Sequence, residues 1–145
     1  MSAVLVVYHS QSGNTKAAAE SLAKGARSVE GTEVVIKEAL KADAKDLLEC
    51  DGVALGTPDY FSYMAGGLKD FFDRTLYPTQ GKVTNKPCVI FVTHGGGGKA
   101  VDSVKSIAAS FKLKEIAEPV LVGGRPDNDS EEKLAAAGKA LAEAC

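Results

Sequence analysis

Five short, apolar, largely β-branched runs recur along the chain, each separated from the next by a segment whose apolar residues fall at helical spacing. That alternation leaves few folds open. Residues 3–8, 33–36, 52–56, 88–93 and 119–122 read as strands. They are apolar nearly throughout, the pattern of strands covered on both faces. Between them, Ala18, Leu22, Ala26 and Val29 share one helical face, as do Leu68, Phe71, Phe72 and Thr75. The same spacing recurs in Val101, Val104, Ala108 and Phe111, and in Leu134, Ala137, Gly138 and Leu141. A further helix is expected over roughly 43–48, and Asp129 with Glu132 predicts a capping pair opening the last helix. Strand–helix units joined by right-handed crossovers require an open parallel sheet with helices on both faces. The fold class is therefore α/β, a three-layer, doubly wound, five-stranded parallel sheet. With no repeat, linker or low-complexity segment, residues 1–145 read as one domain.

Ligands of such sheets sit beyond the carboxyl ends of the strands, where the strand order reverses. The unusual segments of this chain fall at those ends. Ser10-Gln11-Ser12-Gly13-Asn14-Thr15 follows the first strand directly and opens a helical pattern near Thr15. The first N–H groups of a helix lack intrahelical partners and carry the positive end of its dipole, so they hold a phosphate without Lys or Arg. Ser10, Ser12 and Thr15 add hydroxyl donors, and Gly13 lets the backbone come close. A nucleoside triphosphate loop would need a Gly-Lys-Ser/Thr ending, which is absent, so the turn suits a phosphomonoester. The alternative is that Ser12 or Asn14 simply caps the helix.

The third strand runs into Thr57-Pro58-Asp59-Tyr60-Phe61-Ser62-Tyr63-Met64, with three aromatics and a Met close together. Such a loop is suited to stacking on a planar ring, Tyr60 foremost, or else folds under itself as a satellite core. The fourth strand runs into Thr93-His94-Gly95-Gly96-Gly97-Gly98-Lys99, a stretch so poor in side chains that its backbone can approach a heterocycle edge. Gly95, Gly97 and Ala100 also match a dinucleotide fingerprint. The match follows the fourth strand rather than the first and lacks the acidic residue after the next strand, so it reads as coincidence.

A net charge of −2 announces no nucleic-acid or membrane partner, and no apolar run is long enough to span a bilayer. A cytoplasmic protein is expected. Cys50, Cys88 and Cys145 are odd in number and widely spaced, which argues against a disulfide framework or a structural zinc site. Tyr8, His9 and Ser10 stand where a phospho-receiver would cluster acids, and neither Cys50 nor Cys88 begins a Cys-x5-Arg phosphatase loop.

Residues 10–15 resemble the T/S-x-T/S-G-x-T phosphate turn of the flavodoxin-like superfamily of FMN-binding proteins, and the resemblance covers the whole chain. It implies the strand order 2-1-3-4-5, with FMN across the first, third and fourth strand–helix loops. Ser10, Gln11, Ser12, Gly13, Asn14 and Thr15 would then meet the phosphate. Pro58, Asp59, Tyr60 and Phe61, with Thr93, His94, Gly95, Gly96, Gly97 and Gly98, would surround the ring. Residues 56–64, followed by Lys69-Asp70-Phe71-Phe72-Asp73-Arg74, are similar to a stretch of flavin-dependent NAD(P)H:quinone reductases and FMN reductases. The length is more like a short-chain flavodoxin.

Three departures bear on mechanism. The loop after the fourth strand holds no Tyr, Phe or Trp to cover the second ring face, residues 59–64 hold no Gly beside flavin N5, and −2 is less acidic than flavodoxins commonly are. The resemblance implies a small electron-transfer carrier working with a redox partner protein. The alternative is an FMN-dependent enzyme taking hydride from NAD(P)H to a quinone or free flavin, and a third reading is a flavin-free interaction module. The flavin supplies the redox chemistry in the first two readings, so no catalytic side chain and no metal are called for. His94 and Lys99 can balance charge on the reduced ring, and His9 belongs to the same edge or to the surface. A monomer or small homo-oligomer is expected.

Overall fold

Strand β1 (Ser2–Tyr8) is flanked by β2 (Thr32–Glu38) and β3 (Gly52–Tyr60), both parallel to it. A short β4 (Tyr63–Met64) turns back antiparallel on the end of β3, and β5 (Pro87–His94) extends the parallel sheet on the far side of β3. The fifth lane, beside β5, is divided between β6 (Lys114–Glu115) and β7 (Val120–Gly123). This is the expected 2-1-3-4-5 order in a computed structural model that describes residues 1–145. The expected fifth strand, 119–122, forms as β7 one residue further on, since Pro119 has no N–H to offer a ladder, and β6 is an addition that the sequence did not mark.

Helices α1 (Asn14–Arg27) and α5 (Asn128–Ala144) cover one face of the sheet, and α2 (Ala44–Glu49), α3 (Gly66–Thr79) and α4 (Ala100–Ser110) cover the other. The strand pleat divides the core accordingly. Val4, Val6 and Tyr8 of β1 join Ala54, Val89 and Phe91 under α1 and α5. Leu5 and Val7 join Val53, Leu55, Ile90 and Val92 under the other three helices. Each Val, Leu, Ile or Phe among them contributes about 1.5–3 kcal/mol on full burial, so the central strands anchor the loops at their carboxyl ends.

Three sequence expectations shift. β2 is an edge strand with Val35 39% exposed, so it is not covered on both faces. Val29 lies beyond the end of α1 and is only half-buried. The last helix is capped by Asp127 and Ser130 rather than Asp129 and Glu132: extended Asp127 accepts the Ser130 N–H at 2.9 Å, and Ser130 Oγ accepts the Asp127 N–H at 2.8 Å.

The α1–α5 contact is unusually close. A Cβ on Gly138 would lie 2.0 Å from the Leu22 carbonyl oxygen, and one on Gly25 would lie 1.9 Å from the Ala135 carbonyl oxygen. No helix is long and apolar enough to cross a membrane.

Candidate functional site

Gly13 is the N-cap of α1 and adopts φ +98°, a left-handed backbone in which L side chains are strained. The helix has no side-chain cap. Ser10 Oγ accepts the Gly13 N–H at 3.1 Å, and Ser12 Oγ lies a long 3.5 Å from the Asn14 N–H. The reading of Ser12 or Asn14 as a simple cap is therefore not what the geometry favours. The amides of Gln11, Ser12, Thr15 and Lys16 have no acceptor within the chain, leaving a turn of donors at the positive end of α1.

Thr15 is buried, and its hydroxyl lies 2.7 Å from that of Thr93 at the carboxyl end of β5. One proton suffices for that bond. When Thr93 donates, the Thr15 proton is free for an anion in the turn. The bond joins the first and fourth strand–helix loops across 78 residues, and nothing in the local sequence announces it.

Beside the turn lies a cleft of about 350 Å³ lined by Gln11, Ser12, Asn14, Pro58, Asp59, Tyr60, Thr93, His94, Gly95 and Gly124. A second cleft of about 320 Å³ adjoins it, sharing Asp59, His94 and Gly95 and adding Ser62, Gly96, Gly97 and Lys99. Together they match the size of a cofactor site. The first, third and fourth loops thus converge as the sequence implied, and Gly124, after β7, is a member that the sequence did not mark. Ser10, Gly13 and Thr15 line neither cleft: Ser10 holds the Gly13 amide within the turn, and Thr15 is buried against Thr93. Phe61 stands wholly in solvent at the hairpin tip, and Gly98 is buried against Leu121, so neither lines a cleft.

Tyr60 is half-buried and meets His9 edge-on, with ring centroids 6.3 Å apart at 82°. His9 is seated against Gly67 of α3, where a Cβ would lie 2.3 Å from Nδ1. Any larger residue at 67 would displace His9 and so disturb its contact with Tyr60. His9 is thus a prop for the aromatic wall rather than a surface residue. In the glycine loop, His94 Nδ1 accepts the N–H groups of both Gly96 and Gly97 at 3.1 Å, which pins the loop to the end of β5 and places the proton of a neutral ring on Nε2.

The donor turn suits a phosphate, and the cleft walled by Tyr60 suits a flat ring, so the residues fit both halves of FMN. Sheet order puts the switch point between β1 and β3, and the turn and the Tyr60 wall stand at those two strand ends. The molecule is accordingly a flavodoxin-like α/β protein. The family model described as NADPH-dependent FMN reductase matches residues 3–126. The chain belongs to that family, and FMN is the cofactor that its relatives indicate.

Among curated proteins it is 42% identical over 98 residues to a flavodoxin of Aquifex aeolicus (strain VF5), covering 68% of this chain and 53% of the relative. It is 35% identical over 121 residues to an NAD(P)H dehydrogenase (quinone) of Acidithiobacillus ferrooxidans (strain ATCC 53993 / BNL-5-31), covering 66% and 60% respectively. The chain spans little more than half the length of these curated relatives. A solved flavodoxin from the domain Archaea superposes with a TM-score of 0.88 at 25% identity, over 98% of this chain and 97% of that one. Flavodoxin 2 from Bacillus cereus gives 0.86 at 25% identity, over 99% and 100%.

Proposed function

We propose that this chain is a small electron carrier holding one FMN at the carboxyl edge of its sheet, with residues 1–145 acting as a single flavodoxin-like domain. The observation that carries the reading is the uncapped start of α1, whose unpaired amides adjoin the cleft walled by Tyr60. FMN supplies the redox chemistry when bound. Ser10, Gln11, Ser12, Gly13, Asn14 and Thr15 hold its phosphate. Pro58, Asp59 and Tyr60 form one wall for the ring, with Phe61 exposed at the hairpin tip, and Thr93, His94, Gly95, Gly96 and Gly97 form the other, with Gly98 buried behind it. A redox partner protein reaches the exposed edge of the ring, in the cytoplasm, with the carrier a monomer or small homo-oligomer.

One observation favours a second reading, an FMN-dependent reductase that oxidises NAD(P)H and reduces a quinone or free flavin. The cleft of about 320 Å³ that adjoins the Tyr60 wall is lined by no hydrophobic residue, has Lys99 at its side and no Tyr, Phe or Trp over it, and so leaves room for a second planar substrate. The description of the matching family and the quinone dehydrogenase relative point the same way.

Anaerobic visible spectra of the FMN-loaded protein before and after NADPH, then NADH, separate the two readings. The carrier ignores both nucleotides and bleaches only with dithionite. Rapid bleaching by either nucleotide establishes the reductase.

A further inference from the structure

The hairpin of β3 and β4 is fastened to α4 at two points on one rung. Asp59 and Met64 are cross-strand partners at the open end of the hairpin. Asp59 Oδ2 accepts the Ala100 N–H at 3.1 Å, and the Met64 N–H donates to Ser103 Oγ at 3.0 Å. Ala100 and Ser103, three apart, share one face of α4, and the Ser103 hydroxyl donates to the Ala100 carbonyl at 2.7 Å. Lys99, the N-cap of α4, has helical backbone angles and makes no side-chain cap. The Asp59 carboxylate, 41 residues earlier, takes that place at the positive end of the helix.

The other oxygen, Asp59 Oδ1, accepts the Ser62 N–H at 2.8 Å across the hairpin turn. Phe61 at φ 59° and Ser62 at φ 63° are both left-handed, as a two-residue type I′ turn demands, yet neither is Gly, Asn or Asp. Phe61 is fully exposed, so packing does not hold the turn in this costly shape. The Asp59–Ser62 bond does.

We propose that Asp59 is a positioning residue which, together with Ser103, locks the aromatic hairpin and the glycine loop ahead of α4 into one body, fixing the distance between the two walls of the ring cleft. Both Asp59 carboxylate oxygens are engaged by backbone N–H groups, so the residue that lines both clefts also holds their walls together. His94 completes the assembly by tying the glycine loop to β5. That the walls enclose a flavin ring rests on the proposed function; the lock itself does not.

Amide hydrogen exchange on the flavin-free protein tests the lock. Asp59→Asn keeps the size of the side chain and weakens its grip on two N–H groups; Ser103→Ala touches the hairpin only through Met64. Both variants are expected to speed exchange at Ser62 and at residues 96–100 together, by about tenfold or more for a lost bond of this class, while amides of β1 and α1 keep their protection. The double variant should add little, because the two bonds serve one rung. Riboflavin and FMN, titrated separately, should weaken by the same factor, since the phosphate turn is untouched. Faster exchange in the hairpin alone, equal loosening of β1 and α1, or unchanged exchange in either variant would each overturn the lock, and riboflavin affinity that both variants leave unchanged would overturn its hold on the distance between the ring walls. Wild-type protein that binds neither FMN nor riboflavin would overturn the functional reading instead, and the exchange result would still decide the lock.

Discussion

The proposed site gives the Thr15 hydroxyl a second job beside its bond to Thr93, and the two can be separated. Thr15→Val leaves the Thr93 hydroxyl buried without a partner, so stability should fall by about 1–3 kcal/mol, and FMN affinity should fall about 10- to 100-fold if Thr15 also reaches the phosphate. Adding Thr93→Val removes the orphan and should restore most of the stability but none of the affinity. Denaturant melts alongside flavin titrations read both, and unchanged affinity would remove Thr15 from the site. The thiols offer a second residue-scale check. Burial pushes Cys88 up to about 12 and Cys50 up to about 11, with Glu115 adding to the first. Native protein at neutral pH should resist alkylation at both, leaving Cys145 as the first residue labelled. Mass spectrometry after iodoacetamide treatment, with and without denaturant, reads the order. At this scale the sequence showed residue types well and pairings poorly. Ser10, Gly13 and Tyr60 stand out locally, but the Thr15–Thr93 bond and the Gly67–His9–Tyr60 prop join residues too far apart in the chain to leave a local pattern.

At the scale of elements, α1 and α5 meet backbone to backbone. Gly138→Ala would drive a methyl group into the Leu22 carbonyl, and the helices must part or shift, at a cost of about 1–3 kcal/mol. Chemical denaturation should show that loss, and FMN affinity should fall as well if the shift reaches the start of α1. An unchanged midpoint would mean that the helices slide freely. Four of the helices were legible because their apolar faces repeat at 3.6 residues, and the main strands because they are continuous apolar runs; α2, six residues long with Leu47 alone buried, is too short to show such a face. Elements without a period were not. β4 is two residues long and its turn, Phe61-Ser62, carries none of the usual hairpin chemistry. β6 is equally short, and the break ahead of β7 is where Pro119 interrupts the lane. The cap of α5 was misplaced by two residues because Asp127, Asp129, Glu131 and Glu132 all satisfy a composition rule, and only backbone geometry separates them.

Over the whole molecule, acid should act through two carboxylates. Burial alone would raise Asp46, but hydrogen bonds from Lys37 Nζ at 2.7 Å and from the Asp43 N–H at 2.9 Å, with the lysine charge, hold it below the ordinary range. The Ser130 N–H and hydroxyl hold Asp127 low as well. A depressed carboxylate stabilises the fold at pH values above its unfolded value of about 4, and that contribution disappears as pH falls through the lowered native value. Urea midpoints should therefore drop below pH 4, with Asp46→Asn and Asp127→Asn each flattening the drop; a parallel decline in both variants would assign acid sensitivity elsewhere. The site as a whole was more legible than its members, since sheet topology sends three marked loops to one edge. What topology could not reveal was how those loops are held to one another.

The close seating of α5 on α1 also bears on the order of events in the cell. During synthesis from the amino end, the turn ahead of α1 leaves the ribosome with its helix, while the surface that seats Leu22 and Gly25 lies more than a hundred residues further along the chain. The anion site is thus encoded first and finished last, so the nascent chain has no complete cradle in which to trap a flavin. Capture of a flavin on a complete cradle must therefore wait until α5 has been made and seated on α1.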